Sequence, residues 1–354
     1  MGTARLRVFL VTYRRPKLLR RALRSLLEQT FTDWVCELHN DAPDDESPRA
    51  VLEEIAPGDA RFEYHHHETN LGPVGTFNLV FAGGPEPFAS LLEDDNWWEP
   101  RLLETLVATM DSHPQASLAW SNMQLWHEQA DGNWRDSGHA VWPQPEDPDT
   151  VVEFSKPEVL QAFDALHSNG AMVFRPDRFD ARGVPPAAPF AIIESLRERA
   201  ATGPLLFVPR VLAHFGSTRT SARNPDPAAW VQAKLLCGTS FFEHARVGRR
   251  ELEEIWTARR SQLPPDTDIF FLLALTLRNP ALLSPCTAAD WLRFLLHSAR
   301  HPGRLARALR FRTDHADVWA WLRQRTAGVR NARLTFPSKA RFTGAPAAPE
   351  PTSA

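Results

Sequence analysis

Three short polar clusters in this 354-residue sequence hold the residue types from which a site for a base, a phosphate and a cation can be built. Thr12-Tyr13-Arg14 offers a flat ring and backbone groups for a base. Asn40-Asp41 offers an acceptor carboxylate. Glu93-Asp94-Asp95 offers the hard oxygens that Mg²⁺ and Mn²⁺ prefer. Each cluster ends an apolar run, and in an open parallel sheet ligands sit outside the carboxyl ends of the strands. If the three runs are parallel strands, the clusters share one rim. Each alone is weak, since Asp94, Asp95 and Asn96 also read as caps for a helix starting at Trp97, where the dipole favours acids.

The elements needed to bring the clusters together are legible. Leu6 to Thr12 reads as a buried strand, and Pro16 opens a helix at the position proline tolerates best. On that helix Leu19, Ala22, Leu23 and Leu26 form one face, and Lys17, Arg20, Arg21 and Arg24 are assigned to the wet one. Trp34 to Leu38 is a second strand, leading to the turn-rich Ala42-Pro43-Asp44-Asp45. Phe62 to His66 is a third, followed by the loop Asn70-Leu71-Gly72-Pro73 and a helix from about Val74. Phe88 to Leu92 is a fourth, and Pro100 opens the next helix. Repeated strand, loop and helix units predict an α/β protein with a mostly parallel sheet flanked by helices. Further strands are predicted over Ser117 to Trp126, Gly170 to Phe174 and Leu205 to Phe215. A hairpin turn is predicted at Asp131-Gly132-Asn133, and a helix over Ile192 to Ala201.

The strand-end blocks resemble those of family 2 glycosyltransferases, nucleotide-sugar enzymes of the GT-A (Rossmann-like) fold. The resemblance spans roughly Arg5 to Ser221. It rests on Val11-Thr12-Tyr13-Arg14-Arg15-Pro16, Asp41, Asn70-Leu71-Gly72, and Leu91 to Pro100 with its acidic triplet. It implies that Thr12, Tyr13 and Arg14 line the nucleotide base and that Asp41 binds it, most often as uracil. Asn70, Gly72 and Asn78 face the nucleotide sugar. Glu93 and Asp95 become the outer members of a DxD-type motif, with Asp94 between them. In the family an Asp usually stands where this chain has Glu93. A divalent cation there neutralises the charge of a departing diphosphate. Asp95 is the expected direct ligand, and Glu93 binds the ribose or the metal through water. An inverting transfer also needs a carboxylate to take the acceptor proton. The matching segment, Ile192 to Arg197, lacks the family's usual Asp and has Glu194, which is also a residue the helix dipole favours. His214, at the end of a late strand, is a candidate further ligand or a plain half-buried histidine. Trp97 stacks on an acceptor sugar or packs in the core, and Trp98 is assigned to the core. His65-His66-His67 is set aside as a metal site because adjacent strand residues alternate faces.

The resulting expectation is an inverting, Mn²⁺- or Mg²⁺-dependent glycosyltransferase that uses a nucleotide-diphosphate sugar and a carbohydrate or glycolipid acceptor. The alternative is a nucleotide-sugar-binding protein of weakened catalysis. A dinucleotide-dependent oxidoreductase is disfavoured, since no GxGxxG follows the first strand. The expected domains are a nucleotide-sugar half (1–110), an acceptor half (111–225), a helical C-terminal extension (226–340) and a disordered tail (341–354). Composition agrees with a globular protein, at 43% hydrophobic and 23% charged residues. Three scattered Cys argue against disulfide or cysteine-zinc scaffolds. No apolar run reaches the ~18 residues that span a bilayer, and no signal peptide is read, so a cytoplasmic location is expected. From Trp291 to Arg341 the chain is basic, and an apolar cluster (Trp291, Leu292, Phe294, Leu295, Leu296) precedes Arg300, Arg304, Arg307, Arg310 and Arg312. This pattern reads as an appendage packed on the catalytic domain or as peripheral contact with the inner face of a membrane. Nothing in it points to nucleic acid.

Overall fold

The computed structural model describes residues 4–144, 147–154, 159–180, 183–219, 226–244, 273–279 and 286–326, together with Arg250 and Glu253. The chain divides into two compact units. The first holds 1–155, 167–183 and 201–221, and the second holds 156–166, 184–200 and 222–354. The predicted boundary near residue 110 falls within the first unit, because strands from both sides of it join one sheet. The segment around Glu194 belongs with the C-terminal helices.

In the first unit, β1 (Leu6–Thr12), β2 (Trp34–Asn40), β3 (Phe62–His66) and β4 (Phe88–Glu93) alternate with α1 (Pro16–Leu27), α2 (Ser47–Ile55) and α3 (Gly72–Ala82). The expected boundaries of β1 and β3 and the start of α1 hold, and α2 is an additional helix between β2 and β3. The remaining elements are β5 (Trp97–Trp98), α4 (Leu102–Ser112), β6 (Leu118–Glu128), β7 (Trp134–Ala140), β8 (Val152–Phe154), β9 (Met172–Phe174) and β10 (Leu205–Ser217). The strand order is β3-β2-β1-β4-β9-β6-β10-β5, with β7 on β6 and β8 on β10. The half from β3 to β4 is parallel, and β9 enters antiparallel between β4 and β6. β6 and β7 form the expected hairpin, in which Gly132 takes a φ of +80°.

A main core cluster of this unit lies on one face of the sheet, and Phe9 and Leu91 are buried on the opposite face. Leu6, Val8 and Leu10 of β1, with Cys36 and Leu38 of β2, pack with Leu19, Ala22, Leu23 and Leu26 of α1. Period-two strands and a period-3.6 helix bury the apolar faces read from the sequence. Arg21 departs from that reading. Its guanidinium lies 3.7 Å from the ring centre of Trp97 and 4.2 Å from that of Trp134, so it is half-buried between two indoles.

The second unit is helical. It contains α5 (Ile193–Ala200), α6 (Pro227–Phe242), α7 (Ala288–Arg300), α8 (Pro302–Leu309), α9 (Phe311–Asp314) and α10 (Ala316–Thr326). Asp226 caps α6 and pairs with Arg307 of α8 at 2.6 Å, and Arg312 pairs with Glu243 at 2.5 Å. These arginines therefore tie helices together. The expected tail, 341–354, lies outside the described residues.

Candidate active site

The register of β1 with its two neighbours decides the site. Thr12 lies opposite Asn40 on β2, and Val11 lies opposite Glu93 on β4. Because all three strands run parallel, the three polar clusters emerge at one carboxyl rim. Backbone bonds extend the pairing past the strand ends, with Asp41 N donating to Thr12 O at 3.0 Å and Asp94 N to Val11 O at 3.2 Å.

Asp94 turns inward. Its carboxylate accepts from Thr12 Oγ1 at 2.8 Å, Tyr13 N at 3.3 Å and Arg15 Nη1 at 3.2 Å. Burial, then the neighbouring charge of Asp95, pushes its pKa up to about 7. Asp94 is thus the bolt between the β1 loop and the end of β4. This corrects two expectations. Thr12 is buried with its hydroxyl committed to Asp94, and Asp94 itself faces the protein, so neither side chain is presented to a nucleotide. The rim is instead furnished by Tyr13, which is 48% exposed, and by Arg14. Among the described non-glycine residues Arg14 alone has a positive φ, +55°, a left-handed conformation that costs free energy outside glycine. It stacks on Tyr13 at 5.5 Å and pairs with Asp44.

Asp95 keeps some exposure at the rim. Its Oδ2 accepts from Arg15 Nη1 at 2.8 Å, and its carbonyl accepts from Arg21 Nη2 at 2.8 Å. Its pKa is also raised, chiefly by burial. Glu93 Oε2 accepts from Asn96 Nδ2 at 3.1 Å. One guanidinium, Arg15, thus bridges two carboxylates that burial already disfavours, with Glu93 beside them. Hard carboxylate oxygens gathered at one turn are the ligand type a divalent cation prefers. Gly216 on β10 lies directly over this turn, since a Cβ there would collide with the Asp95 carbonyl oxygen. Arg15, Arg21 and Gly216 escaped the sequence reading. Arg15 stands in the block Val11 to Pro16, but nothing in that block gives it a role.

Asp41 is 7% exposed and receives Leu71 N at 2.6 Å, Gly72 N at 3.1 Å and Thr76 Oγ1 at 3.4 Å. Asn70 Nδ2 donates to its carbonyl at 2.8 Å. The carboxylate therefore anchors the start of α3, and Gly72 makes the turn at a φ of +66°. Asp41, Asn70 and Gly72 are brought together as expected. Asn78 lies farther along α3 with its side chain against Gly183.

His214 is not offered to a metal. Its Nδ1 accepts from Trp126 Nε1–H at 3.0 Å, and its Nε2 lies 2.6 Å from Glu99 Oε1. Indole only donates, so the ring proton sits on Nε2 and faces the carboxylate, leaving no lone pair free. Trp97 stacks on this imidazole at 4.8 Å and tilts against Trp126 at 5.5 Å. Trp98 is core, with its Nε1 donating to Gly170 O at 2.6 Å. Glu194 stands half-buried in the first turn of α5, in the second unit.

Residues 7–143 match the family described as Glycosyl transferase family 2. That match takes in the stretch that carries the rim, and the chain has a mixed α/β architecture with a central sheet flanked by helices. Among solved structures it is similar to TarS 1–349 of S. aureus at a TM-score of 0.54 and 14% identity, over 88% of this chain and 91% of that one. TarS 1–349 in complex with UDP matches at a TM-score of 0.57 and 15% identity, with the same coverage. The complex with UDP-GlcNAc matches at 0.55 and 13%, over 88% and 92%. At these identities the likeness shows the fold. A curated relative from Mycolicibacterium smegmatis, named 3-(3-hydroxy-phenyl)propionate/3-hydroxycinnamic acid hydroxylase, is 30% identical over 171 residues, 42% of this chain. The chain spans 28% of that protein's length.

Proposed function

We propose that this protein is an inverting glycosyltransferase that moves a sugar from a nucleotide-diphosphate sugar, a UDP-sugar by preference, to a hydroxyl of a carbohydrate or glycolipid acceptor. The observation that carries this reading is the single rim on which exposed Tyr13 and Arg14, the Asp41 anchor and the Glu93–Asp95 turn converge. Solved complexes of the TarS fold with UDP and with UDP-GlcNAc support the donor class.

In this reading Tyr13 stacks on the base and Arg14 flanks it, while Asp41 reaches the base with the acceptor capacity its backbone donors leave. Asn70 and Gly72 shape the wall beside the donor sugar, with Asn78 farther along the same helix. Glu93 and Asp95 hold Mn²⁺ or Mg²⁺, which when bound offsets the charge of the departing diphosphate. Arg21, kept cationic with a pKa of about 10 despite burial, adds positive charge on the Asp95 side of the turn. The acceptor oxygen forms the new bond to the anomeric carbon as the bond to the diphosphate breaks, and its proton passes to Glu194. The hydroxylase likeness supplies no competing reading of this site, because β1 opens onto Thr12-Tyr13-Arg14.

The test is transfer from a labelled UDP-sugar with Mn²⁺. Glu194→Ala is expected to abolish transfer while UDP binding, followed by thermal shift, persists. Transfer at the wild-type rate in this variant would remove Glu194 from the role of base. Donor binding with no transfer in the wild-type protein across an acceptor panel would favour the weakened-catalysis alternative.

Peripheral membrane contact is proposed for α7. Leu292, Leu295 and Leu296 are 59%, 60% and 49% exposed, while Phe294 is buried. Arg300 and Arg304 follow on the same basic segment, and among the described residues no helix is long and apolar enough to cross a membrane. Co-sedimentation with vesicles rich in anionic phospholipid is expected to drop several-fold when the three leucines are changed to serine. Equal sedimentation of both proteins would argue against contact through this helix.

A further inference from the structure

A second group of chemistry-bearing side chains lies on β2 and β3, away from the acidic turn after β4. Glu37 pairs with Glu63 and His39 with His65 across the parallel strands, so all four side chains share one face. His67 continues that face, and His66 points away, toward Ala42 O and Glu46. Alternation within the histidine run holds as expected. What the run alone could not show is the neighbouring strand, which adds His39 and Glu37 beneath His65.

The geometry is close. His39 Nε2 lies 3.0 Å from Glu37 Oε2, and His65 Nε2 lies 3.9 Å from the same oxygen. One ligand atom from each of Glu37, His39 and His65 falls within 4.8 Å of the others. The rings of His39 and His65 are stacked at 4.8 Å and 11°. His65 Nε2 is buried and makes no hydrogen bond, although Glu63 Oε1 stands 3.3 Å away. A buried ring nitrogen that makes no hydrogen bond beside two carboxylates leaves room for a further partner.

We propose that Glu37, His39 and His65 bind one divalent transition-metal cation of the zinc class. Two imidazoles and a carboxylate form a recognised ligand set for such ions. With metal–ligand distances of about 2.0–2.2 Å, tetrahedral ligand atoms stand roughly 3.3–3.6 Å apart, so binding requires the stacked His65 ring to rotate and draw in toward His39 and Glu37. His65 is about a third exposed on an edge strand and has room to do so. The second layer is in place. His39 Nδ1 lies 3.0 Å from His67 Nε2, so a proton on Nδ1 frees Nε2 for the ion. Glu37 Oε1 is held by Arg7, which also binds Glu86 at 2.6 and 2.8 Å. Glu37, Glu63 and Glu86 against Arg7 leave two negative charges for a dication to neutralise.

Titration of the metal-free protein with Co²⁺, followed by visible absorption, tests the proposal without any sugar donor. Wild type is expected to develop the intense bands of a low-coordinate imidazole site with one equivalent, and Zn²⁺ should displace them. His65→Ala and Glu37→Gln are each expected to weaken this binding at least about tenfold, while Asp95→Asn leaves it unchanged. Glutamine keeps an oxygen for Arg7, so the second variant guards against a folding defect in the first. Absence of the bands in wild type, or bands lost in Asp95→Asn and kept in His65→Ala, would overturn the assignment.

Discussion

Asp95→Asn is expected to lower kcat for sugar transfer by on the order of 10²–10³-fold, as removal of one preorganised charge-stabilising group does, while the protein unfolds at the same temperature or higher. The second half of that expectation follows from burial. The Asp95 carboxylate is held charged where desolvation disfavours it, next to Asp94, whose pKa that neighbour helps raise to about 7. Asparagine removes the repulsion yet keeps an oxygen for Arg15 Nη1, which now lies 2.8 Å from Oδ2. The helix expected at Trp97 is not formed, because Trp97–Trp98 pair as β5 and α4 starts only at Leu102, so Asp95 caps no helix. A purely structural role in the turn would therefore leave transfer unchanged, and a cation-holding role makes the variant inactive but stable. The measurement is a Mn²⁺ titration of transfer, run beside thermal unfolding. Wild-type turnover with wild-type Mn²⁺ dependence in Asp95→Asn would take the acidic turn out of the chemistry.

Arg15→Ala should act in the opposite sense, costing stability first. Arg15 joins Asp94 at 3.2 Å and Asp95 at 2.8 Å, with side-chain exposures of 25%, 6% and 22%. Removing one partner of a buried pair typically costs 3–5 kcal/mol, and the quarter exposure of Arg15 reduces this to about 2–3 kcal/mol. For a unit of this size that is a fall of roughly 5–10 °C in Tm. Two carboxylates would then face each other without a guanidinium, and the loop carrying Tyr13 and Arg14 would lose its hold on β4. UDP binding is expected to weaken along with Tm. Arg15→Lys restores the charge but reaches the two acids without the planar fork, so it recovers only part of both. A Tm equal to wild type in Arg15→Ala would mean that Thr12 and the Tyr13 amide secure Asp94 without help.

The two variants separate the parts played by neighbouring residues of one triplet. Asp94 spends its carboxylate on the protein, and Asp95 keeps exposure at the rim. Nothing in the composition of Glu93-Asp94-Asp95 distinguishes them. The direction of each side chain depends on where the chain turns after β4, and that turn is set by the Asp94 N to Val11 O bond and by Gly216 pressing on the Asp95 carbonyl.

The sequence by itself determined the alternating strands and helices of a mostly parallel α/β sheet, because apolar periodicity reports which face each element buries, while the order β3-β2-β1-β4 that makes the rim common came from the structure. It also determined the core position of Trp98, whereas the bonds from Asn70, Leu71 and Gly72 to Asp41 were seen only in the structure. Only the tertiary structure decided which side chains on the rim look outward. Thr12 and Asp94 turned in, Tyr13 stayed out, and both nitrogens of His214 were taken by Trp126 and Glu99. Arg21, assigned to the solvent face of α1, went between two indoles supplied by segments more than seventy residues away. The physical reason is common to all of these. Periodicity along one chain fixes faces, whereas hydrogen-bond and stacking partners come from strands that are distant in sequence and adjacent only once the sheet has formed.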